Sequence, residues 1–199
     1  MSTVAAPGVE APRLVLADVL PGARVRDAAL VVGGAGFTAL LAQVAVPMSP
    51  VPITGQTLAV GLVGATLGMR RGLAAMLLYV LLGFFLPVYA EGGSGITTLW
   101  GASGGYLVGF VAATALIGWM AERGGDRKVH LAFLSFVLAQ LLVFVPGLIV
   151  LQLVTGMSVG DTIYHGFTVF ILGGLIKAAV GAAVLPSAWG LVRRIERKG

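Results

Sequence analysis

Long apolar runs dominate the chain, and apolar and polar positions do not alternate within them. A helix that crosses a bilayer needs about 20 mainly apolar residues. Six runs approach or exceed that length, at about 28–46, 54–69, 72–88, 103–121, 130–153 and 164–192. Transmembrane β-strands would instead alternate apolar and polar residues in segments of about ten. The pattern therefore predicts an all-α integral membrane protein with six transmembrane helices.

Composition supports a membrane protein over a soluble one. The 199 residues are 58% hydrophobic and 11% charged, and the mean hydropathy is +0.99. Soluble domains carry about 25% charged residues, so this chain has too little polar surface to enclose a water-soluble core. Disorder is excluded for most of the chain, because it requires low hydrophobicity and high charge. The sequence contains no cysteine, which excludes disulfide bonds and thiolate metal sites.

The basic residues predict the orientation. Twelve of the 13 Lys and Arg residues lie before the first predicted helix, in the second or fourth connection, or after the sixth helix. The connections at about 47–53, 89–102 and 154–163 contain none. Short loops rich in Lys and Arg stay cytoplasmic, so we expect both termini in the cytoplasm. Charges divided in this way serve as topology anchors and argue against a nucleic-acid surface.

This topology divides the chain into three parts. Residues 1–27 are expected to form a cytoplasmic N-terminal segment, of which 1–12 are expected to be disordered. Residues 28–192 form the six-helix transmembrane domain, and 193–199 form a basic cytoplasmic tail.

The remaining basic residue, Lys177, lies within the sixth apolar run. An ammonium near the bilayer centre costs about 2.5–3.5 kcal/mol on insertion scales, and such residues usually serve function. Lys177 is roughly 20 Å from either end of its helix at 1.5 Å per residue. We therefore favour a role in ligand binding or in a transport pathway over a lysine that extends to the membrane interface.

The connections without basic residues are rich in Gly, Pro, Ser and Thr and carry Tyr89, Trp100 and Tyr164. Irregular backbone at membrane depth is tolerated only against protein or a cavity. These connections therefore indicate a ligand pocket near the outer ends of the helices, although plain connecting loops are the alternative.

The sequence gives no sufficient motif for an enzyme. The P-loop G-x-x-x-x-G-K-[ST] does not occur in the 199 residues. The pattern G-x-S-x-G occurs at 101–105 and 156–160, but no predicted strand precedes either serine, as a nucleophile elbow requires. Asp161 and His165 are four residues apart, but one carboxylate and one imidazole are too few for a metal site. We expect a protein that is not an enzyme and that has no cofactor and no metal.

Three segments resemble the BioY family, the biotin-binding S components of energy-coupling factor vitamin transporters. They are VPITGQTLAVGLVGATLGMRRG (51–72), YVLLGFFLPVYAEGGSGITTLWGASGGYLVGF (79–110) and VFILGGLIKAAVGAAVLP (169–186). The resemblance covers roughly 28–190. It implies a six-helix protein of the cell membrane that captures biotin from outside and delivers it for ATP-driven uptake.

The resemblance also implies a binding site. Thr54, Gln56 and Ser103 would offer neutral donors and acceptors to the ureido group, and Lys177 would meet either that group or the carboxylate. Tyr89, Trp100 and Tyr106 would enclose the bicyclic ring. The expected substrate-binding residues are Thr54, Gln56, Tyr89, Trp100, Ser103, Tyr106, Asp161 and Lys177.

One departure from the family pattern bears on this site. Gly174 occupies the position of the family's usual aspartate, three residues before Lys177. Either Asp161 or Glu91 supplies an acceptor from a loop, or water and backbone carbonyls do. Alternatively, the ligand is a different vitamin or a small carboxylate.

The resemblance implies partners as well: one energy-coupling transmembrane subunit and two ATPase subunits. The small-residue pair Ala35 and Ala39 on the first helix is the candidate docking motif, and packing within the chain is the alternative. A stand-alone secondary transporter is the other competing function. Such transporters usually carry carboxylates inside their spans, and no Asp or Glu lies in the predicted spans here.

Overall fold

The structure is a computed structural model that describes residues 15–20 and 24–198. The disorder expected for 1–12 concerns residues outside these ranges. The described chain is mainly helical, with one two-stranded sheet. Its helices are α1 (Arg24–Ala42), α2 (Gln56–Leu82), α3 (Gly95–Leu99), α4 (Gly104–Ala121), α5 (Val129–Thr155), α6 (Val159–Gly166) and α7 (Ile171–Glu196).

The long helix α2 reverses direction at Gly68. The backbone there has φ 80° and ψ 177°, a region that is essentially restricted to glycine. Gln56 and Tyr79 are 23 residues apart, yet Nε2 of Gln56 donates a hydrogen bond to the Tyr79 hydroxyl at 2.6 Å. A straight helix would separate them by about 35 Å. Residues 56–67 and 69–82 are therefore two antiparallel arms, which correspond to the second and third predicted helices.

Polar contacts hold the reversal in place. Oε1 of Glu122, at the end of α4, accepts a hydrogen bond from the Met69 backbone N–H at 2.8 Å. Arg71 forms ion pairs with Asp18 at 2.7 Å and with Asp27 at 3.2 Å. These contacts gather the start of α1, the reversal and the end of α4 at one end of the bundle, where basic residues are concentrated.

Five segments of the described chain are long and apolar enough to cross a membrane: Arg24–Ala42, Gln56–Leu82, Gly104–Ala121, Val129–Thr155 and Val159–Glu196. The sequence predicted six. The numbers differ because Gln56–Leu82 contains both arms of α2. The last segment combines α6, a short 3₁₀ turn (Thr168–Phe170) and α7.

The core depends on close approach between α5 and its neighbours. Phe136 of α5 is buried, and its ring lies against Gly61 of α2 and Gly181 of α7. A Cβ added at either glycine would overlap the ring. The missing side chains therefore allow a large aromatic residue to fill the space between three helices, as close packing in membrane proteins requires.

The connections at the other end of the bundle are ordered. The first forms a hairpin of β1 (Ala45–Val46) and β2 (Ile53–Thr54), and the second contains a 3₁₀ turn (Ala90–Gly92) and α3. The Gln43 side chain joins these two connections, because its Nε2 donates to the Tyr89 carbonyl at 3.0 Å. The third connection leads into α6. This end of the bundle therefore has the backbone order that a binding site needs.

Candidate ligand-binding site

A cavity of about 250 Å³ lies between the ordered connections and the helices α2, α4, α5 and α7. It is far larger than the space one water occupies, and it approaches the range of about 300–1,000 Å³ for small-molecule sites. Of the eight residues predicted for the site, the structure brings together six on its wall: Thr54, Gln56, Tyr89, Ser103, Tyr106 and Lys177.

The other two predicted residues do not line the cavity. Trp100 follows α3 and is 74% exposed. Asp161 is exposed on α6, where its carboxylate accepts a hydrogen bond from the Ser158 hydroxyl at 2.7 Å. Its backbone N–H donates to the same hydroxyl at 3.1 Å. Ser158 is therefore the N-cap residue of α6, and Asp161 is its partner in the first turn. The three-residue spacing of Ser158 and Asp161 in the sequence is compatible with such a cap.

Lys177 extends into the cavity rather than to a membrane interface. Its ammonium donates hydrogen bonds to the Thr54 carbonyl and to Oγ1 of Thr57, the latter at 3.0 Å. The ion pairs formed within the described ranges involve Arg26 and Arg71, and none involves Lys177. A lysine has three N–H donors, so one donor and the positive charge remain available to a ligand.

Glu91 lies on the wall of the cavity, in the second connection, and it is exposed. It has φ 56°, in the left-handed region that few residues other than glycine adopt. Of the two loop carboxylates predicted as acceptors, Glu91 is therefore near the site and Asp161 is not.

The polar groups of Thr54 and Gln56 are occupied within the protein. The Thr54 hydroxyl donates to Oε1 of Gln56 at 2.7 Å, while Nε2 of Gln56 donates to the Tyr79 hydroxyl. These bonds join the first connection to both arms of α2. They also fix the Thr54 carbonyl that accepts from Lys177. Thr54 and Gln56 thus position the first connection and the carbonyl that binds Lys177, and they also line the cavity.

The two tyrosines contribute ring surface, since both hydroxyls are bound to backbone. The Tyr89 hydroxyl donates to the Val80 carbonyl at 2.7 Å, and the Tyr106 hydroxyl donates to the Gly166 carbonyl at 2.9 Å. The Tyr106 ring also packs against Phe144 and Phe170, each with a centroid separation of 6.3 Å. An aromatic wall of this kind suits a compact apolar ring system.

Sequence reasoning missed several residues that line the cavity, among them Thr57, Gln140, Phe144 and Phe170. Gln140 carried a usable signal, because it is an amide inside an otherwise apolar run of the fifth predicted helix. Polar side chains in such positions usually find a partner across helices. The two phenylalanines carried no signal, since aromatic residues in apolar helices are ordinary core residues.

The candidate docking pair on α1 faces inward. Ala35 is 1% exposed and belongs to the core, and Ala39 is half-buried and packs against that core. Ala35 therefore has no surface to offer a partner, and packing within the chain accounts for its small size. The docking role of Ala39 stays a prediction.

Comparisons with known proteins agree on one family. Residues 13–194 match the sequence profile of the BioY family. The biotin transporter BioY2 of Lactococcus lactis subsp. cremoris is 39% identical over 150 residues, which are 75% of this chain and 82% of that protein. The biotin transporter BioY of Thermotoga maritima is 36% identical over 152 residues, which are 74% of this chain and 88% of that protein.

A solved structure has the same fold. It is the crystal structure of the S-component for biotin from an ECF-type ABC transporter, and its superposition gives a TM-score of 0.73. The match covers 88% of this chain and 93% of that one, with 23% sequence identity.

Proposed function

The chain belongs to the BioY family, and we propose that it is a membrane-embedded subunit that captures biotin from outside the cell. It delivers the vitamin for ATP-driven uptake through an energy-coupling factor complex. The observation that carries this proposal is the half-buried ammonium of Lys177 on the cavity wall, which has a free donor and no ion-pair partner in the described ranges.

The chemistry of biotin fits this cavity. Biotin has a carboxylate on a valeryl chain, an apolar thiophane ring and a rigid ureido group. Lys177 donates its remaining N–H to an oxygen of the ligand, either of the carboxylate or of the ureido carbonyl. Tyr106, Phe144 and Phe170 contact the apolar rings. A mainly apolar wall with a few fixed polar groups is the usual composition of a small-molecule site.

The membrane topology is part of the proposal: six crossings, with both termini in the cytoplasm. The two arms of α2 count as separate crossings because they are antiparallel. The basic connections lie at the end of the Gly68 reversal, which the positive-inside rule assigns to the cytoplasm. At 1.5 Å per residue the arms are about 18 and 21 Å long, less than the roughly 30 Å of the hydrocarbon core. The cavity would therefore lie below the outer membrane surface.

Uptake against a gradient requires energy, and the sequence contains no P-loop. We therefore include in the proposal one energy-coupling transmembrane subunit and two ATPase subunits as partners in the cell membrane. This part rests on the family.

Uptake of radiolabelled biotin tests the proposal. Cells without another biotin uptake system would express the chain alone or together with the coupling subunits. We expect uptake that depends on the chain, that unlabelled biotin abolishes, and that excess riboflavin or thiamine leaves unchanged. Equal uptake by cells with and without the chain, at verified membrane expression of all subunits, would contradict the proposal.

A further inference from the structure

A buried amide on α5 forms part of the cavity wall. Gln140 is 9% exposed and lines the cavity beside Gly174 of α7. Its Nε2 donates a hydrogen bond to the Gly174 backbone carbonyl at 3.0 Å. The two residues are 34 positions apart in the sequence, so this bond joins two helices at the level of the site.

The Gln140 side chain fills the space in which a side chain at position 174 would begin. A Cβ added at Gly174 would overlap Oε1 of Gln140 and would lie 3.2 Å from its Cδ. Gln140 can therefore adopt this position only because residue 174 is glycine. Gly174 on α7 therefore makes room for the side chain of Gln140 on α5.

The hydrogen bond to Gly174 fixes the orientation of the amide. A carbonyl accepts hydrogen bonds and cannot donate them, so Nε2 is the amide atom bound to the Gly174 carbonyl. Oε1 lies beside it, at the place where a Cβ of residue 174 would stand. No hydrogen bond from another described residue reaches Oε1. Oε1 is also not fully buried, because the fully buried side-chain oxygen without a partner in the described ranges is Oδ1 of Asp126. Since Gln140 lines the cavity, Oε1 is accessible from the cavity.

An acceptor in this position selects a ligand that has an N–H donor. At neutral pH the hydrogen-bond donors of biotin are its two ureido N–H groups, because the carboxylate is ionised and the ring sulfur only accepts. We propose that Gln140 is a specificity-determining residue whose Oε1 accepts a hydrogen bond from a ureido N–H, and that Gly174 is the small residue that permits it. This inference rests on the proposed function.

The arrangement makes positions 140 and 174 interdependent. A side chain at 174 displaces the amide from the place where it meets the ligand. A carboxylate at 174 can therefore serve as the acceptor only if Gln140 has first been shortened.

The test measures the affinity of purified variants for biotin by calorimetry. Gln140→Met keeps the length of the side chain and removes the amide, and we expect it to weaken binding roughly tenfold or more, equivalent to about 1.4 kcal/mol. Gln152→Met is the matched control, since Gln152 lies on the same helix and outside the cavity wall. We expect its affinity to stay within about twofold of wild type.

Biotin analogues methylated on one ureido nitrogen or the other separate a direct contact from a structural effect. Wild-type protein should bind at least one of them far more weakly than biotin, and Gln140→Met should lose most of that discrimination. Gly174→Asp alone should weaken binding, and Gly174→Asp combined with Gln140→Ala should recover part of the loss. The thermal unfolding temperature of each variant shows whether a weakened variant is folded.

Two outcomes would overturn the inference alone: wild-type affinity in Gln140→Met, or unchanged discrimination between biotin and its methylated analogues. A different result concerns the premise. Folded wild-type protein that binds no biotin would refute the proposed function, and the inference with it.

Discussion

Replacing Lys177 by alanine is expected to weaken biotin binding by about 10- to 150-fold. The ammonium uses two donors for the Thr54 carbonyl and for Oγ1 of Thr57, so one N–H is left for the ligand. A hydrogen bond to a charged group contributes about 1.5–3 kcal/mol. Each 1.4 kcal/mol corresponds to a factor of ten in the dissociation constant, which gives the expected range.

The same substitution is not expected to unfold the empty protein. Lys177 keeps a charge in a half-buried position without an ion-pair partner in the described ranges, and such a charge is itself costly in a membrane protein. Removing it relieves that cost while breaking two internal hydrogen bonds. We therefore expect the thermal unfolding temperature of ligand-free Lys177→Ala to stay close to that of wild type, although its affinity for biotin falls.

Calorimetry on the detergent-purified chain, after removal of any bound ligand, measures the change. Lys128→Ala is the control, because Lys128 is exposed just before α5 and does not line the cavity. Repeating the titration with biotin amide, which lacks the carboxylate, shows whether Lys177 meets the carboxylate or the ureido group. Wild-type affinity in Lys177→Ala would refute the reasoning, since it would remove the ammonium from the site.

Three further substitutions test the fold by thermal unfolding. Gly68→Ala should destabilise the protein by about 1–3 kcal/mol because φ 80° strains any other residue, whereas Gly190→Ala, with open space at its Cβ, should be tolerated. Tyr106→Phe should cost about 1 kcal/mol of stability through its lost bond to the Gly166 carbonyl, with biotin affinity nearly unchanged, because the ring remains. Burial raises the pKa of Asp126, so the charged form destabilises the fold as pH rises through that pKa. Asp126→Asn should therefore raise the unfolding temperature at neutral pH, by an amount that shrinks in acid. Equal shifts at all pH values, a stable Gly68→Ala or a large loss of affinity in Tyr106→Phe would each contradict the corresponding explanation.

The helical segments could be predicted because lipid imposes long apolar runs on the sequence. The boundary between the second and third helices was also visible, as Arg70, Arg71 and several glycines interrupt the apolar pattern. What the pattern could not reveal is that the reversal takes place at a single residue, Gly68. The reversal is held by the carboxylate of Glu122, far away in the sequence, which accepts a hydrogen bond from the first backbone N–H of the second arm.

The site could be predicted only in part, and the reason is physical. Thr54 and Lys177 stand out in the sequence because polar groups are rare near apolar runs, and the structure joins them through a hydrogen bond. Asp161 stands out equally, but its carboxylate accepts a hydrogen bond from Ser158, the N-cap residue of α6, and does not reach the cavity. Local spacing cannot decide between these uses. The sequence marks Gly174 as unusual because it stands in place of the family's usual aspartate. The side chain that fills the space beside it belongs to Gln140, 34 residues away in the sequence, and only the tertiary structure shows that the two residues are in contact.

We expect this chain, by itself, to hold biotin in the cavity that contains Lys177. The most direct test is calorimetric titration of biotin into the folded, detergent-purified wild-type chain after bound ligand has been stripped. We expect tight, one-to-one binding of biotin with no response to riboflavin or thiamine. A folded, monodisperse chain that shows no heat with biotin would contradict it.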